Sequence, residues 1–373
     1  MNWYHYLILF FQGFLFSVLL TPLMRKMASR LGFLDHPGTR KVHVQPKPLL
    51  GGGAIFISFF SIVIIDLLVL NWVFEHNILS ANRLIRQLNQ LALYASGSTQ
   101  VMKQLIGLLT GGAVLFLIGL VDDRLGMNPL VKLVGQVIAA VILYLAEIQI
   151  ALFIQQPVIN FLLTLFWIVL ITNSFNLLDN MDGLSGGVAM IALILLGIST
   201  HLVDRQAFIT AISFALAGCI AGFLRYNINP SSIFMGDAGS LFIGYSVAAL
   251  TVLSTFYQSG TENATAWSVV MPVVILAVPI FDTLSVIFIR IRNGKPIYIG
   301  DKNHFSHRLV ALGMSQRRAV FFIHLVTLCV GSAALVLPLI HQPFGAYIVL
   351  TQTIIFFILI TMLEQIKNNN HNS

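Results

Sequence analysis

Residues 161–187 read FLLTLFWIVLITNSFNLLDNMDGLSGG. The first part, FLLTLFWIVLI, carries no charge. Asn173, Asn176, Asp179, Asn180 and Asp182 then follow in close order, and an apolar run resumes from Val188. Polar side chains at that density are costly in lipid, so they are expected to face a protein-lined, wet cavity. Asn176, Asp179 and Asp182 stand three residues apart, which puts them on one side of a helix that continues so far. The stretch reads as a membrane crossing that ends in a polar cleft, followed at once by a second crossing.

The rest of the chain has the same character. Of 373 residues, 57% are hydrophobic and 9% charged, against roughly 45–50% and about 25% in soluble domains. About 20 residues span the hydrocarbon as a helix. Apolar runs of that kind lie near 3–24, 50–74, 104–121, 130–146, 158–176, 184–202, 207–224, 239–257, 267–290, 317–339 and 344–364, the fourth being short. The expectation is an all-α, polytopic integral membrane protein of about 10–11 transmembrane helices, with residues 1–373 as a single membrane domain. The first run lacks a basic leader and is followed by Arg25, Lys26 and Arg30, so it reads as an uncleaved span. Segment 291–316 reads as a loop that meets substrate, 75–103 as an outer loop with helical apolar spacing, and 367–373 as a disordered tail. Cys219 and Cys329 lie within apolar runs and read as buried small side chains rather than a disulfide or metal pair.

The net charge of +7 does not point to nucleic acid. With eleven crossings, all but Arg83, Arg86, Lys103 and Arg205 of the 21 Lys and Arg fall on one side. The positive-inside rule makes that side cytoplasmic, with the N-terminus outside and the C-terminus inside. The acids, placed on the same map, converge there too. Asp122 and Asp123 (GLVDDRLG) end one span, Asp179 and Asp182 another, Asp237 (FMGDAGSL) opens a third, and Asp301 precedes HFSH; the outer side holds only Glu75, Glu147, Asp204 and Glu262 among the 14 acids. Carboxylates about 4 Å apart repel by roughly 4 kcal/mol at an effective dielectric near 20. A hard divalent ion with oxygen ligands, Mg²⁺ foremost and Mn²⁺ as the alternative, suits both these acids and substrate phosphates. A cytoplasmic-face active-site cleft is therefore expected.

Other motifs fit a phosphate site. Asp237 sits on a Gly-flanked helix start, where free N–H groups favour anions. KPLLGGG sets Lys47 before glycines that permit close approach. His304 and His307 in HFSH have no zinc-site context and suit phosphate or proton handling better. Asp282 lies inside a span and about two turns from Arg290, so a functional reading is the default; Asp66 lacks such a neighbourhood. No Walker A motif, G-x-S-x-G elbow or dinucleotide fingerprint occurs.

In this order, the motifs KPLLGG, DD, NSFNLLDNMDGL, FMGDAGSL, PIFD and HFSHRL resemble the polyprenyl-phosphate N-acetylhexosamine-1-phosphate transferase family (glycosyltransferase family 4), nearest its WecA/TagO-like branch. The resemblance implies a UDP-N-acetylhexosamine donor, UDP-GlcNAc foremost, and undecaprenyl phosphate as membrane-borne acceptor, with UMP released. It implies a bacterial inner-membrane location, and leaves a homodimer open. By position it gives catalytic roles to Asp122, Asp123, Asp179, Asp237 and His304. It gives a metal role to Asp237, Asp122 and Asp123, and substrate contacts to Lys47, Lys132, Asn176, Asp182, Asn227, Phe234, Arg290, Arg292, His307 and Arg308. Two residues depart from the family pattern: Asn180 stands where Gly is usual, and Ser306 where a further His is usual. The alternatives are a transporter for an anionic solute, whose acids would lie nearer the bilayer midplane, and a non-catalytic scaffold.

Overall fold

The computed structural model describes residues 3–36, 45–75, 99–150, 156–203, 206–254, 270–297, 301–339 and 343–370. Its helices are α1 (Trp3–Leu31), α2 (Gly51–Glu75), α3 (Thr99–Leu125), α4 (Pro129–Leu145), α5 (Pro157–Leu178), α6 (Leu184–Val203), α7 (Ala207–Asn227), α8 (Gly236–Ser254), α9 (Met271–Ile275), α10 (Ala277–Arg292), α11 (Phe305–Ala311), α12 (Gln316–Ala333) and α13 (Pro343–Asn370), with a 3₁₀ turn at Ala334–Leu339. One two-residue ladder accompanies them: β1 (Leu34–Asp35) pairs antiparallel with β2 (Lys47–Pro48), setting Asp35 opposite Lys47. The protein is thus all-α and polytopic, as its composition requires.

Among the described residues, nine helices are long and apolar enough to cross a membrane. Two of the eleven expected crossings differ. The fourth, α4, has 17 residues, about 25 Å at 1.5 Å per residue, short of the roughly 30 Å core. Asn128 caps it by accepting from Leu130 N–H at 2.9 Å, and Pro129 takes the first turn, where its missing N–H costs nothing. The ninth, expected as one span over 267–290, is broken at Leu276 into α9 and α10. Pro279 lies in the first turn of α10 and has no N–H to return to the preceding turn, which ends a continuous helix there. Residues 267–269 and the amphipathic stretch 76–98 lie outside the described residues, as do 371–373 beyond the end of α13.

The bundle is organised around α8, whose sequence GDAGSLFIGYSVAALTVLS is almost wholly buried. It packs against α2, α3, α5 and α6. Small residues allow this: a Cβ on Gly52 would lie 2.2 Å from Gly239 N, and one on Gly119 2.4 Å from Ala238 N. Backbones meet where side chains would hold them apart. α1 lies along α7. The outward faces of α1 and α13 carry exposed Leu7, Phe11, Leu15, Leu19, Ile354 and Ile358, as a lipid-facing surface should. The C-terminal ends of α3, α5 and α7 and the N-terminal ends of α4 and α8 then come together at one end of the bundle, around a single cleft.

Candidate active site

The cleft has a volume of about 580 Å³, within the usual range for small-molecule sites. Its lining includes Lys47, Asp122, Asp123, Asp179, Asp182, Asn227, Phe234, Asp237 and His307 of the expected residues. Lys132 and Asn176 stand directly behind, bonded to Asp237.

The centre is built on the first turn of α8. Gly236 has φ 74°, and a Cβ there would meet Asp123 Oδ2 at 2.5 Å, so glycine is required on both counts. The next residue, Asp237, is thereby turned into the cleft. Asp237 Oδ1 accepts from Asn176 Nδ2 (3.1 Å), which also donates to Ser240 Oγ (2.9 Å). Asp237 Oδ2 accepts from Lys132 Nζ (2.7 Å), and the same ammonium donates to Asp122 Oδ2 (2.8 Å). One cation from α4 therefore bridges two acids from α3 and α8. Asp122 is further fixed by the N–H of Met127.

Asp123 has a different task. Its two oxygens accept the N–H of Asp237 (2.7 Å) and of Ala238 (3.1 Å). It caps the helix that carries Asp237 and is favoured by the positive end of that helix. The three acids expected at an ion site, Asp122, Asp123 and Asp237, line this one cleft, although among the described residues no three His, Cys, Asp or Glu side chains are grouped closely enough to hold an ion by themselves. Asp123 faces the first backbone N–H groups of α8, whereas Asp122 and Asp237 face Lys132.

The acidic turn between α5 and α6 forms another wall. Asp182 accepts from Ser231 N–H (3.0 Å), Ser231 Oγ (2.9 Å) and Asn229 Nδ2 (3.0 Å), and Lys47 Nζ lies 3.8 Å away. Lys47 donates to Ser231 Oγ (2.8 Å) and sits 4.9 Å from the ring centre of Phe234, a cation–π arrangement. Asn227 is buried; its amide accepts from Gly183 N–H (2.9 Å) and donates to Ile233 O (2.9 Å). It holds two cleft loops together, with its amide already used. Asp179 lies beyond the end of α5. Burial pushes its carboxyl up to about 8, and the nearby charges of Asp237 and Asp182 add to this.

The loop after α10 divides the remaining residues. His307 lines the cleft, its imidazole held below its usual range by burial and by the charges of His304 and Lys302. His304 does not line it. Asp282, 1% exposed, takes both His304 Nδ1 (2.9 Å) and the N–H of Phe305 (2.6 Å), which draws the ring into the bundle. Arg290 is also buried: it clamps Asp301 (Nε to Oδ2, 3.1 Å; Nη2 to Oδ1, 3.2 Å) and the carbonyl of Ile297. Burial alone would raise Asp301, but Arg290 and the two N–H donors of Asn303 outweigh it and bring the carboxyl to about 2. Arg308 grips Glu364 of α13 (3.0 Å) and Ser285 Oγ (3.1 Å). Arg292 is exposed and outside the lining. Of the residues expected to meet substrate, His304, Arg290 and Arg308 are bonded to Asp282, Asp301 and Glu364, and Arg292 is exposed.

The cleft also includes Asn180, expected to face a cavity, and Asp35, Asn229, Lys302 and Gln316, which were not among the expected contacts. Asp35 was discoverable only through the pairing of β1 with β2, and Glu364 only through the return of α13; neither carries a local motif.

The arrangement offers a water-accessible acidic centre, with an ammonium between two of its carboxylates, beside an apolar bundle. A family model described as glycosyl transferase family 4 matches residues 105–255, the stretch that carries Asp122, Asp179, Asp182 and Asp237. The chain is 32% identical over 362 residues to a probable undecaprenyl-phosphate N-acetylglucosaminyl 1-phosphate transferase of Bacillus subtilis (strain 168), covering 95% of this chain and 89% of that protein. It is 33% identical over 328 residues to a decaprenyl-phosphate N-acetylglucosaminephosphotransferase of Mycobacterium tuberculosis (strain ATCC 25618 / H37Rv), covering 81% and 75%. It is 26% identical over 342 residues to an undecaprenyl-phosphate alpha-N-acetylglucosaminyl 1-phosphate transferase of Escherichia coli (strain K12), covering 88% and 83%.

Proposed function

The chain belongs to glycosyl transferase family 4, and from that premise we propose that it transfers N-acetylglucosamine 1-phosphate from UDP-GlcNAc to undecaprenyl phosphate. The products are UMP and a polyprenyl-diphosphate sugar. The observation that carries this reading is the Asp122–Lys132–Asp237–Asn176 knot in a polar cleft at one end of a lipid-facing bundle. Relatives named for this transfer, matched over most of their length, support it. A transporter is disfavoured by the same geometry, since the acids gather at helix ends rather than along the middle of broken helices.

The donor set also suits a divalent ion. Mg²⁺ is usually bound by one or two carboxylates plus substrate phosphates, and Asp237 and Asp122 supply two, each oxygen having a second lone pair. An ion held there would neutralise charge on the donor diphosphate. Mn²⁺ is the alternative ion.

The chain's own residues then have separable tasks in a reaction dominated by positioning and charge neutralisation. Lys132 holds Asp122 and Asp237 together and offsets their charge. Asp123 fixes the backbone of Asp237. Lys47 and Phe234 supply a cation and a ring at the wall where the uridine end of the donor docks. His307, neutral near pH 7, offers a donor and an acceptor to the sugar phosphate. The acceptor phosphate enters from the lipid side and attacks the β-phosphorus of the donor, and UMP departs. The cleft faces the cytoplasm, in keeping with the distribution of Lys and Arg.

The test is UMP release by purified protein in detergent or nanodiscs, from several UDP-sugars, with and without a polyprenyl phosphate. Release that requires the lipid and prefers UDP-GlcNAc is expected. Solute flux in liposomes with no UMP produced would replace this reading with transport.

A further inference from the structure

The two residues that depart from the family pattern, 126 positions apart in sequence, touch. Ser306 in α11 is 1% exposed, and its hydroxyl donates to Asn180 Oδ1 at 2.6 Å. The other end of that amide is fixed as well, because Asn180 Nδ2 donates to Leu177 O at 2.9 Å. Asn180 thus spends both ends of its amide within the protein although it lines the cleft. Its backbone makes no special demand: among the described residues, Glu147 is the one non-glycine at positive φ, and Gly183 takes that conformation in this turn. The side chain at 180 is therefore available for a contact, and Ser306 meets it.

The position of this bond matters. The other side-chain bonds of α11 and its lead-in run elsewhere, from His304 and Phe305 to Asp282 of α10, and from Arg308 to Glu364 of α13. The Asn180–Ser306 bond crosses instead to the acidic turn, between Asp179 and Asp182. His307, the next residue after Ser306, lines the same cleft as those acids. A neutral hydrogen bond is worth about 1 kcal/mol net, enough to bias how α11 sits.

We propose that Asn180 and Ser306 are positioning residues: their hydrogen bond seats α11 on the acidic turn and so sets His307 against the UDP-sugar pocket. The inference rests on the transferase reading above. The Asn180 amide and the Ser306 hydroxyl are both engaged within the protein, so losing the bond weakens donor binding rather than removing the chemistry.

The experiment compares Asn180→Ala, Ser306→Ala, the double variant and Ser306→Thr. UMP release is followed against UDP-GlcNAc concentration, and amide hydrogen exchange across residues 301–311 is followed without substrate. Each alanine variant should raise KM for UDP-GlcNAc about 5-fold, with kcat within about twofold, and should speed exchange in α11. The double variant should be no worse than Asn180→Ala alone, because both singles remove the same Asn180–Ser306 bond and Asn180→Ala also gives up the bond to Leu177 O. Ser306→Thr, which keeps the hydroxyl, should restore both readouts. Multiplied effects in the double variant, or unchanged KM and exchange in the singles, would overturn the proposal. Absence of UMP release by the wild-type protein would instead remove the transferase reading, and the exchange data would still judge the contact.

Discussion

Replacing Asp123 separates a helix cap from a metal ligand. Its oxygens receive two backbone N–H bonds at the start of α8, at 2.7 and 3.1 Å. Leaving a buried N–H without its partner costs about 1–3 kcal/mol. Partial contact with the wet cleft lowers the net loss, so Asp123→Ala should cost about 3 kcal/mol, and the apparent thermal midpoint should fall by about 4 °C. Asp123→Asn keeps one acceptor oxygen, and Asn is nearly as good an N-cap as Asp. It gives up the second acceptor oxygen, and about 1 kcal/mol with it. Both variants let Asp237 drift, so turnover should drop about 10-fold for Asn and further for Ala. The decisive assay is a Mg²⁺ titration of UMP release. With Asp123→Asn, the Mg²⁺ concentration for half-activation should stay within about twofold of wild type, because the ion would take the place between Asp122 and Asp237 that Lys132 holds, and Asp123 faces the backbone of α8 instead. If Asp123→Asn shifted that concentration as far as a change at Asp122 does, Asp123 would be a metal ligand and the capping argument would be wrong.

Asp237→Asn should abolish transfer while leaving the thermal midpoint within a few degrees; near-normal turnover would remove Asp237 from the centre. Lys132→Met leaves Asp122 and Asp237 facing each other without their shared ammonium, a repulsion of about 3 kcal/mol at an effective dielectric near 20. Turnover should collapse while Mg²⁺ binding tightens, and weaker Mg²⁺ binding would show that Lys132 is not the competing cation. For Asp301, a folded-state value of about 2 lies below its ordinary 3.8, so its pair with Arg290 stabilises the fold above pH about 4 and the contribution fades as pH falls toward 2. The difference in thermal midpoint between wild type and Asp301→Asn should follow that course, and a difference that grew on acidification would refute the pairing. Gly52→Val forces α2 away from Gly239 and should prevent stable folding; a variant with wild-type melting would mean that α2 and α8 are not in close contact.

The sequence determined that the chain is a helical membrane bundle, because 57% apolar residues in runs of spanning length have no other low-energy arrangement in lipid. It also located the acidic centre. Acids are so rare here that the few at span ends, together with Lys47 and Lys132, could be placed on one side by counting crossings. What each residue does there was decided only by the tertiary structure. Arg290 and Arg308 look like phosphate ligands in sequence, yet Asp301 and Glu364, one close along the chain and one far from it, take their guanidinium groups. His304 is withdrawn by Asp282, Asp123 is spent on the first turn of α8, and Asp35 reaches the cleft through a two-residue ladder. A polar side chain's role depends on which partner satisfies it. That partner is fixed by packing of helices distant in sequence, which no local motif records.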